Sequence, residues 1–397
     1  LAVLLEIPHM LTSHREHLEV AWPDGSTSRY HWVWLRQACQ CASCFNRHCR
    51  QRHFDPGVVP ADLRPAALSA DATGLRIVWP DGHPSHYGFD RLRDEDYDQP
   101  RRPAPADARP AWRRWPDGAP PALRFELAAA LDDGALLHRA LQHLFEYGLV
   151  VLKAEPMRTV EFGAVCRQLA GFLDRSYFGE FFDLEVKADE ETDSVSFSTK
   201  ALPLHTDIPY CSPPPDYQFL YGLDVSSQCA RDGIGSTRFV DGFTIACELR
   251  EAQPDAFALL ASTPVLYRAD YPQARKRYEH RTPIVRLAPD GSIERLINNP
   301  TKMFFDGIGF DEMLPLFRAY QSLKSRLAAT ERSYLHAWSQ GDMVVWDNRR
   351  IFHGRGDFGG SGFTRTLRGG YFREGELLAR ARFLASRAAD RRAAVAS

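Results

Sequence analysis

The chain has 397 residues, 44% hydrophobic and 25% charged, with a formal net charge of -2. This composition excludes a disordered chain. The balance of charge argues against nucleic acid or an anionic membrane as partner, and no run of about 18 apolar residues offers a membrane span.

A single hydrophobic core stops growing at roughly 250–300 residues, so two domains are expected. The opening Leu1-Ala2-Val3-Leu4-Leu5 is apolar but soon meets Glu6, Pro8 and His9, without the basic region of a signal peptide. A cytoplasmic enzyme is the expectation. Residues 1–98 read as β-rich. Val20-Ala21-Trp22-Pro23-Asp24-Gly25 is repeated as Val78-Trp79-Pro80-Asp81-Gly82, each a short alternating run ending in the Asp-Gly of a hairpin turn. Half of the eight cysteines, Cys39, Cys41, Cys44 and Cys49, fall within eleven residues. That clustering points to a metal rather than to the spread cysteines of a disulfide scaffold.

Residues 99–121 carry seven prolines and read as a linker or its packed equivalent. Beyond it, 123–147 and 156–174 show helical spacing, with a buried strand at Gly148–Leu152 between them. After residue 190 short strands dominate, including Gln218–Tyr221 and Met343–Trp346. Helices are expected at 243–261, at 311–329 and after Gly375. Helices followed by many short strands suggest a sandwich or barrel with helices packed on one side.

The chemistry concentrates in Leu204-His205-Thr206-Asp207. In a strand, residues i and i+2 share a face, so His205 and Asp207 could enter one cavity together. They are two-thirds of a 2-His-1-carboxylate triad, which leaves three positions of Fe(II) open. His353, in Asp347-Asn348-Arg349-Arg350-Ile351-Phe352-His353-Gly354-Arg355, is the best third ligand. Arg365 then suits the far carboxylate of 2-oxoglutarate, because a guanidinium binds carboxylate in a bidentate fork that Lys cannot reproduce.

On these residues the chain resembles the gamma-butyrobetaine dioxygenase family, within the taurine dioxygenase superfamily. The likeness also takes in Pro213-Pro214, Val240-Asp241-Gly242-Phe243, Asn298-Asn299 and Gly370-Tyr371, and runs over nearly the whole length. It implies a mainly β fold with flanking helices (α+β): a double-stranded β-helix, or jelly roll, at 122–397, behind a small zinc-binding domain at 1–98. It implies Fe(II), 2-oxoglutarate as cosubstrate and a structural Zn(II). It also implies O2, a small quaternary-ammonium substrate and a homodimer. Thr237 is expected to assist Arg365. Zinc is expected on Cys39, Cys41, Cys44 and His83, with His48, Cys49 and His53 as local rivals. Four protein ligands would close the site, so the zinc would hold the fold together.

The resemblance places an aromatic cage for a trimethylammonium group on Phe178, Phe182, Phe197 and Tyr371. A quaternary ammonium donates no hydrogen bond, but ring faces attract it. Asn298, Asn299 and Ser194 fall at polar positions for the other end of the substrate, and Arg295 or Lys302 could serve a different anion such as a phosphonate. The implied activity is hydroxylation of an unactivated C–H bond of a gamma-butyrobetaine-like substrate, giving a carnitine-type product. Oxidation or rearrangement of a trimethylammonium phosphonate is the alternative. A non-catalytic zinc-binding interaction protein is the remote third reading.

Overall fold

The protein is described from a computed structural model. Residues 10–98, 110–116, 120, 124–157, 159–185, 195–198, 200–356 and 363–396 are described. The chain forms two compact units, Leu1–Pro105 and Ala106–Ser397. Ser194, the opening Leu1–Leu5 and most of the Pro-rich stretch lie outside the described residues.

The first unit is built twice from one pattern. Strands β1 (Met10–Ser13), β2 (His17–Ala21) and β3 (Thr27–His31) form a meander closed by helix α1 (Trp32–Gln37). Strands β4 (Ala67–Asp71), β5 (Gly74–Val78) and β6 (Pro84–Tyr87) form a second, closed by α2 (Phe89–Asp94). The predicted Asp-Gly turns are present, with Gly25 and Gly82 at φ of 82° and 78°, the left-handed region that glycine enters without a Cβ clash. The repeat extends far beyond the turns. Trp22 and Trp79, Tyr30 and Tyr87, and Leu35 and Leu92 are equivalent, each pair 57 positions apart. Trp22 Nε1 donates to Ser28 Oγ at 2.7 Å, and Trp79 Nε1 to Ser85 Oγ at 2.8 Å. The halves also cross over reciprocally. The Tyr30 hydroxyl donates to the Leu92 carbonyl and the Tyr87 hydroxyl to the Leu35 carbonyl. Both halves share one buried core, which neither three-stranded sheet could form alone.

In the second unit, one sheet comprises β7 (Arg124–Glu126), β8 (Leu149–Lys153), β9 (Phe182–Leu184), β11 (Tyr217–Val225), β14 (Asp342–Asp347) and β16 (Arg365–Phe372), in the order β9-β16-β11-β14-β8-β7. The other comprises β10 (Leu202–His205), β12 (Thr237–Asp241), β13 (Tyr334–His336) and β15 (Ile351–Arg355), in the order β10-β15-β12-β13. Alternate residues of the larger sheet serve two cores. Val150, Leu152, Phe219, Met343 and Val345 pack beneath helices α3 (Gly134–Tyr147), α4 (Thr159–Ala170) and α8 (Glu374–Ala396). Leu149, Val151, Leu220, Val344 and Trp346 share a core with Phe239, Ile351 and Leu367, two of them from the smaller sheet. The strands are covered on both faces, which explains their nearly unbroken apolar runs. Helices α5 (Gly242–Ala252), α6 (Pro254–Ser262) and α7 (Phe310–Ala328) cover Val240 and Phe352 on the outer side of the smaller sheet.

Local sequence accounts for several boundaries. Asp133 caps α3 by accepting from the Ala135 amide at 2.9 Å, and Gly148 ends it at φ 75°. Asp241 caps α5 and also receives a bidentate pair from the buried Arg350. A Cβ on Gly242 would lie 2.4 Å from the Phe352 ring and 2.7 Å from the Arg350 carbonyl, so Val-Asp-Gly-Phe needs its glycine. The predicted single helix at 243–261 is two helices, broken at Gln253-Pro254 because proline cannot supply the continuing N–H. Part of the expected linker is packed: Trp115 is buried and its Nε1 donates to the Tyr147 carbonyl at 2.7 Å. Among the described residues no helix is long and apolar enough to cross a membrane.

Candidate active site and zinc centre

A cavity lies against the inner faces of both sheets, lined by residues of β10, β11, β12, β15 and β16. His205 and His353 are direct cross-strand partners of β10 and β15, with ring centroids 4.2 Å apart. The strand ends at His205, so Asp207 does not reach the cavity by strand alternation as the sequence suggested. It arrives through a clamped turn. The Thr206 amide donates to the Asn298 carbonyl at 2.7 Å, and the Asn298 amide returns a bond to Thr206 Oγ1 at 3.0 Å. From the other side, Asn348 Oδ1 accepts from the Asp207 amide at 2.8 Å, while its Nδ2 donates to the carbonyls of Asp207 and Pro215. Ile208 is held at φ 49°, a region that a β-branched residue rarely occupies. These clamps hold that strain in place beside the cavity.

Three ligand atoms, one each from His205, Asp207 and His353, lie within 4.8 Å of one another. His205 Nδ1 lies 2.8 Å from the Pro203 carbonyl, which can only accept, so Nδ1 carries the proton and Nε2 presents a lone pair. That Nε2 lies 3.0 Å from Asp207 Oδ1, and His353 Nε2 lies 3.7 Å from the same oxygen. Burial and the neighbouring His205 pull the His353 imidazole down to about 3, so it is neutral. Burial pushes the Asp207 carboxyl up. The His205 and His353 imidazoles facing it and the Tyr371 hydroxyl outweigh it and hold Asp207 well below the usual carboxylate range. Two imidazole nitrogens and one carboxylate oxygen thus converge, an arrangement that a divalent cation satisfies. The donor set suits Fe(II) with open positions.

The outer oxygen, Asp207 Oδ2, is occupied by protein donors: Gln218 Nε2 at 2.6 Å and the Tyr371 hydroxyl at 2.8 Å. Gln218 carried no assignment from the sequence. A single polar residue in Tyr-Gln-Phe-Leu-Tyr, on the same face of the strand as Leu220, is the signal that could have found it.

The cavity has a basic end. Arg365, Arg355 and Thr237 all line it. Arg355 is two residues beyond His353 on β15, and Thr237 lies opposite Arg355 on β12. Arg365 Nε donates to the Gly235 carbonyl at 2.9 Å. Burial, then the neighbouring charge of Arg355, pull Arg365 down to about 9. Two guanidiniums crowded in a buried place fit a carboxylate, which would relieve both effects.

Arg365 and Tyr371, at the aromatic end, lie six positions apart on β16, roughly 20 Å. Phe178 lies 6.0 Å from Phe182 and 6.2 Å from Phe197, and Phe182 lies 5.7 Å from Tyr371. All four expected rings line the cavity. Tyr271, missed in the sequence, joins them at 6.0 Å from Phe178. Asn299 and Lys302 line the cavity too, with Asn299 Oδ1 accepting from Thr301. Asn298 is not among the lining residues and serves the Thr206 clamp instead. Arg295 is not available to a substrate anion: its guanidinium binds Asp216 at 2.5 Å and the carbonyls of Pro214 and Pro215.

In the first unit, His83 Nε2 lies 3.4, 3.6 and 3.4 Å from the sulfurs of Cys39, Cys41 and Cys44. Tetrahedral bonds of about 2.3 Å to sulfur and 2.0–2.1 Å to nitrogen require N···S edges of roughly 3.6 Å, so the cluster fits a closed zinc site. His48, Cys49 and His53 are exposed and outside this cluster. A further group, His14, His17 and Glu19, has its two imidazoles stacked at only 15°, so their in-plane lone pairs do not converge on one point. Cys41→Ser is expected to abolish zinc retention and unfold the first unit, since structural zinc contributes on the order of 10–16 kcal/mol in small domains. Metal analysis and urea unfolding check this, and one zinc per chain retained in the variant would refute the ligand set.

The description "Taurine catabolism dioxygenase TauD, TfdA family" matches residues 83–371, and "Gamma-butyrobetaine hydroxylase-like, N-terminal" matches residues 10–93. A gamma-butyrobetaine dioxygenase of Pseudomonas sp. (strain AK-1) is 31% identical over 366 residues, covering 91% of this chain and 92% of the relative. The gamma-butyrobetaine dioxygenase of Homo sapiens is 26% identical over 380 residues, covering 93% and 95%. The mitochondrial trimethyllysine dioxygenase of Mus musculus is 26% identical over 378 residues, covering 94% and 86%. With its paired β-sheets and its convergent histidines and carboxylate, the chain belongs to the TauD, TfdA family and is a non-haem iron dioxygenase that uses 2-oxoglutarate.

Proposed function

We propose that His205, Asp207 and His353 hold the iron, that Arg365, Arg355 and Thr237 hold the far carboxylate of 2-oxoglutarate, and that the ring-lined end takes a small trimethylammonium acid, with gamma-butyrobetaine as the reference substrate. Bound iron supplies the oxidising power that inserts hydroxyl into an unactivated C–H bond, with 2-oxoglutarate as co-reactant. The chain's own residues orient and exclude. Phe178, Phe182, Phe197, Tyr271 and Tyr371 shield the reacting end from water and offer ring faces to a cation. Lys302 and Asn299 offer a charge and an amide to the acid end. The separation of basic and aromatic ends supports two binding positions that do not compete.

The observation that carries this reading is the placement of six phenylalanine and tyrosine rings, Tyr210 among them, in the cavity that holds the convergent ligands. Ring faces attract either cation, but an unmethylated ammonium buried among them leaves N–H donors without acceptors at about 1–3 kcal/mol each, so gamma-butyrobetaine should exceed the unmethylated 4-aminobutyrate in kcat/KM by at least about tenfold. Succinate release with each amine, with a trimethylammonium phosphonate and with taurine measures this. Equal turnover of the unmethylated amine, or preference for taurine, would defeat the reading. Preference for the phosphonate would keep the cage and change the acid. Division into a zinc-stabilised N-terminal domain and an oxygenase domain, a homodimer and cytoplasmic residence belong to the same reading; the first two rest on the family resemblance.

A further inference from the structure

We propose that Gln218 and Tyr371 act as a two-donor clamp on the outer oxygen of Asp207, and that Tyr371 carries the presence of substrate in the aromatic end of the cavity to that carboxylate. The second half rests on the cage reading above; the first does not.

The two donors are exact neighbours in the sheet: Gln218 on β11 pairs with Tyr371 on β16. Both are 2% exposed and both line the cavity. Their bonds of 2.6 and 2.8 Å go to one atom, Asp207 Oδ2, and leave Oδ1 as the oxygen beside the two imidazoles. A carboxylate free to rotate can present both oxygens to one cation and close a position that cosubstrate or O2 needs. Two donors on the outer oxygen oppose that rotation, so the clamp keeps Asp207 a one-oxygen ligand and the site open.

Tyr371 is also part of the cage wall, with its ring 5.7 Å from Phe182. A cation against that ring withdraws electron density from it and strengthens its hydroxyl as a donor. The bond to Oδ2 tightens, and Asp207 Oδ1 becomes a weaker donor to its metal. Cage occupancy and ligand strength are thereby linked through one side chain. Gln218 has no ring and holds the carboxylate whether or not substrate is present. The two residues therefore separate in a test.

Tyr371→Phe keeps the ring and removes the hydroxyl, while Gln218→Leu removes the other donor. The full chain is loaded with Co(II), whose visible spectrum reports coordination, and gamma-butyrobetaine is added as probe. Outer-shell partners typically change metal affinity about 10- to 100-fold, so both variants should lose Co(II) affinity within that range. In the unaltered chain the probe should shift the Co(II) bands. In Tyr371→Phe it should still bind by calorimetry but leave the bands unmoved; in Gln218→Leu the shift should persist. With iron, Tyr371→Phe should lower kcat with little change in KM for the probe.

Unchanged Co(II) affinity in both variants would overturn the clamp. A normal spectral response in Tyr371→Phe would overturn the link to substrate. Lost probe binding with Co(II) affinity intact would do so too, because Tyr371 would then be cage wall alone. A chain that takes up Co(II) but ignores gamma-butyrobetaine refutes the cage reading and the link, while the two affinities still decide the clamp. A chain that takes up no Co(II) removes the ligand assignment and the clamp together.

Discussion

Asp207→Ala is expected to remove iron-dependent turnover and to leave less than about a thousandth of it. Loss of an outer-shell partner alone costs roughly 10- to 100-fold, and this change removes a ligand as well. Oδ1 supplies the only negative charge among the three ligand atoms, facing two buried imidazoles. Its loss leaves Gln218 Nε2 and the Tyr371 hydroxyl without their acceptor, and each such orphaned group costs about 1–3 kcal/mol when buried. The backbone clamps to Asn298 and Asn348 do not use the Asp207 side chain, so the turn should persist. Co(II) titration together with succinate assays checks this. Turnover above about a hundredth of the unaltered level, beyond what loss of outer-shell support alone leaves, would mean that Asp207 is not a ligand.

The second large effect is expected at Arg365. Truncating one member of a buried, hydrogen-bonded charge pair costs about 2–5 kcal/mol, roughly 30- to 5,000-fold. Arg365→Met should therefore raise the KM for 2-oxoglutarate by at least about 30-fold. Arg365→Lys should fall between, because it keeps the charge and loses the fork. The KM for the amine should move little, since Arg365 and Tyr371 lie six positions apart on β16. Arg355, near enough to depress Arg365, should retain weak cosubstrate binding. Initial rates with each reactant varied in turn distinguish the two ends of the cavity. An unchanged KM for 2-oxoglutarate in Arg365→Met, with a raised KM for the amine, would place the cosubstrate elsewhere.

A clamped turn like that at Asp207 recurs through the second unit, as pairs of segments distant in sequence. Asn348 reaches back to residues 207 and 215, and Arg295 ties down the Pro214–Asp216 loop. Arg349 binds Asp347 and Glu374 at the foot of α8. Polar residues that look from sequence like substrate contacts are used here to shape the backbone around the cavity. That use explains why Asn298 and Arg295 belong to the scaffold, while Asn299 and Lys302, close in sequence, line the cavity.

The sequence by itself determined which side chains could act as ligands, because ligand chemistry resides in residue type. Two imidazoles, a carboxylate and three thiolates were legible, as were the Asp-Gly hairpins and the apolar strand runs, all products of local chemistry and period, whereas His83 came from the family resemblance, with His48, Cys49 and His53 as local rivals. Only the tertiary structure decided how they are used. The pairing of Gln218 with Tyr371, 153 residues apart in the chain (218 and 371), depends on strand register. So does the choice of Asp207 Oδ1 over Oδ2 as the inward oxygen. The addition of Tyr271 to the ring wall depends on which strand face turns inward. Register and facing are set by the packing of whole sheets, a property that no short segment encodes.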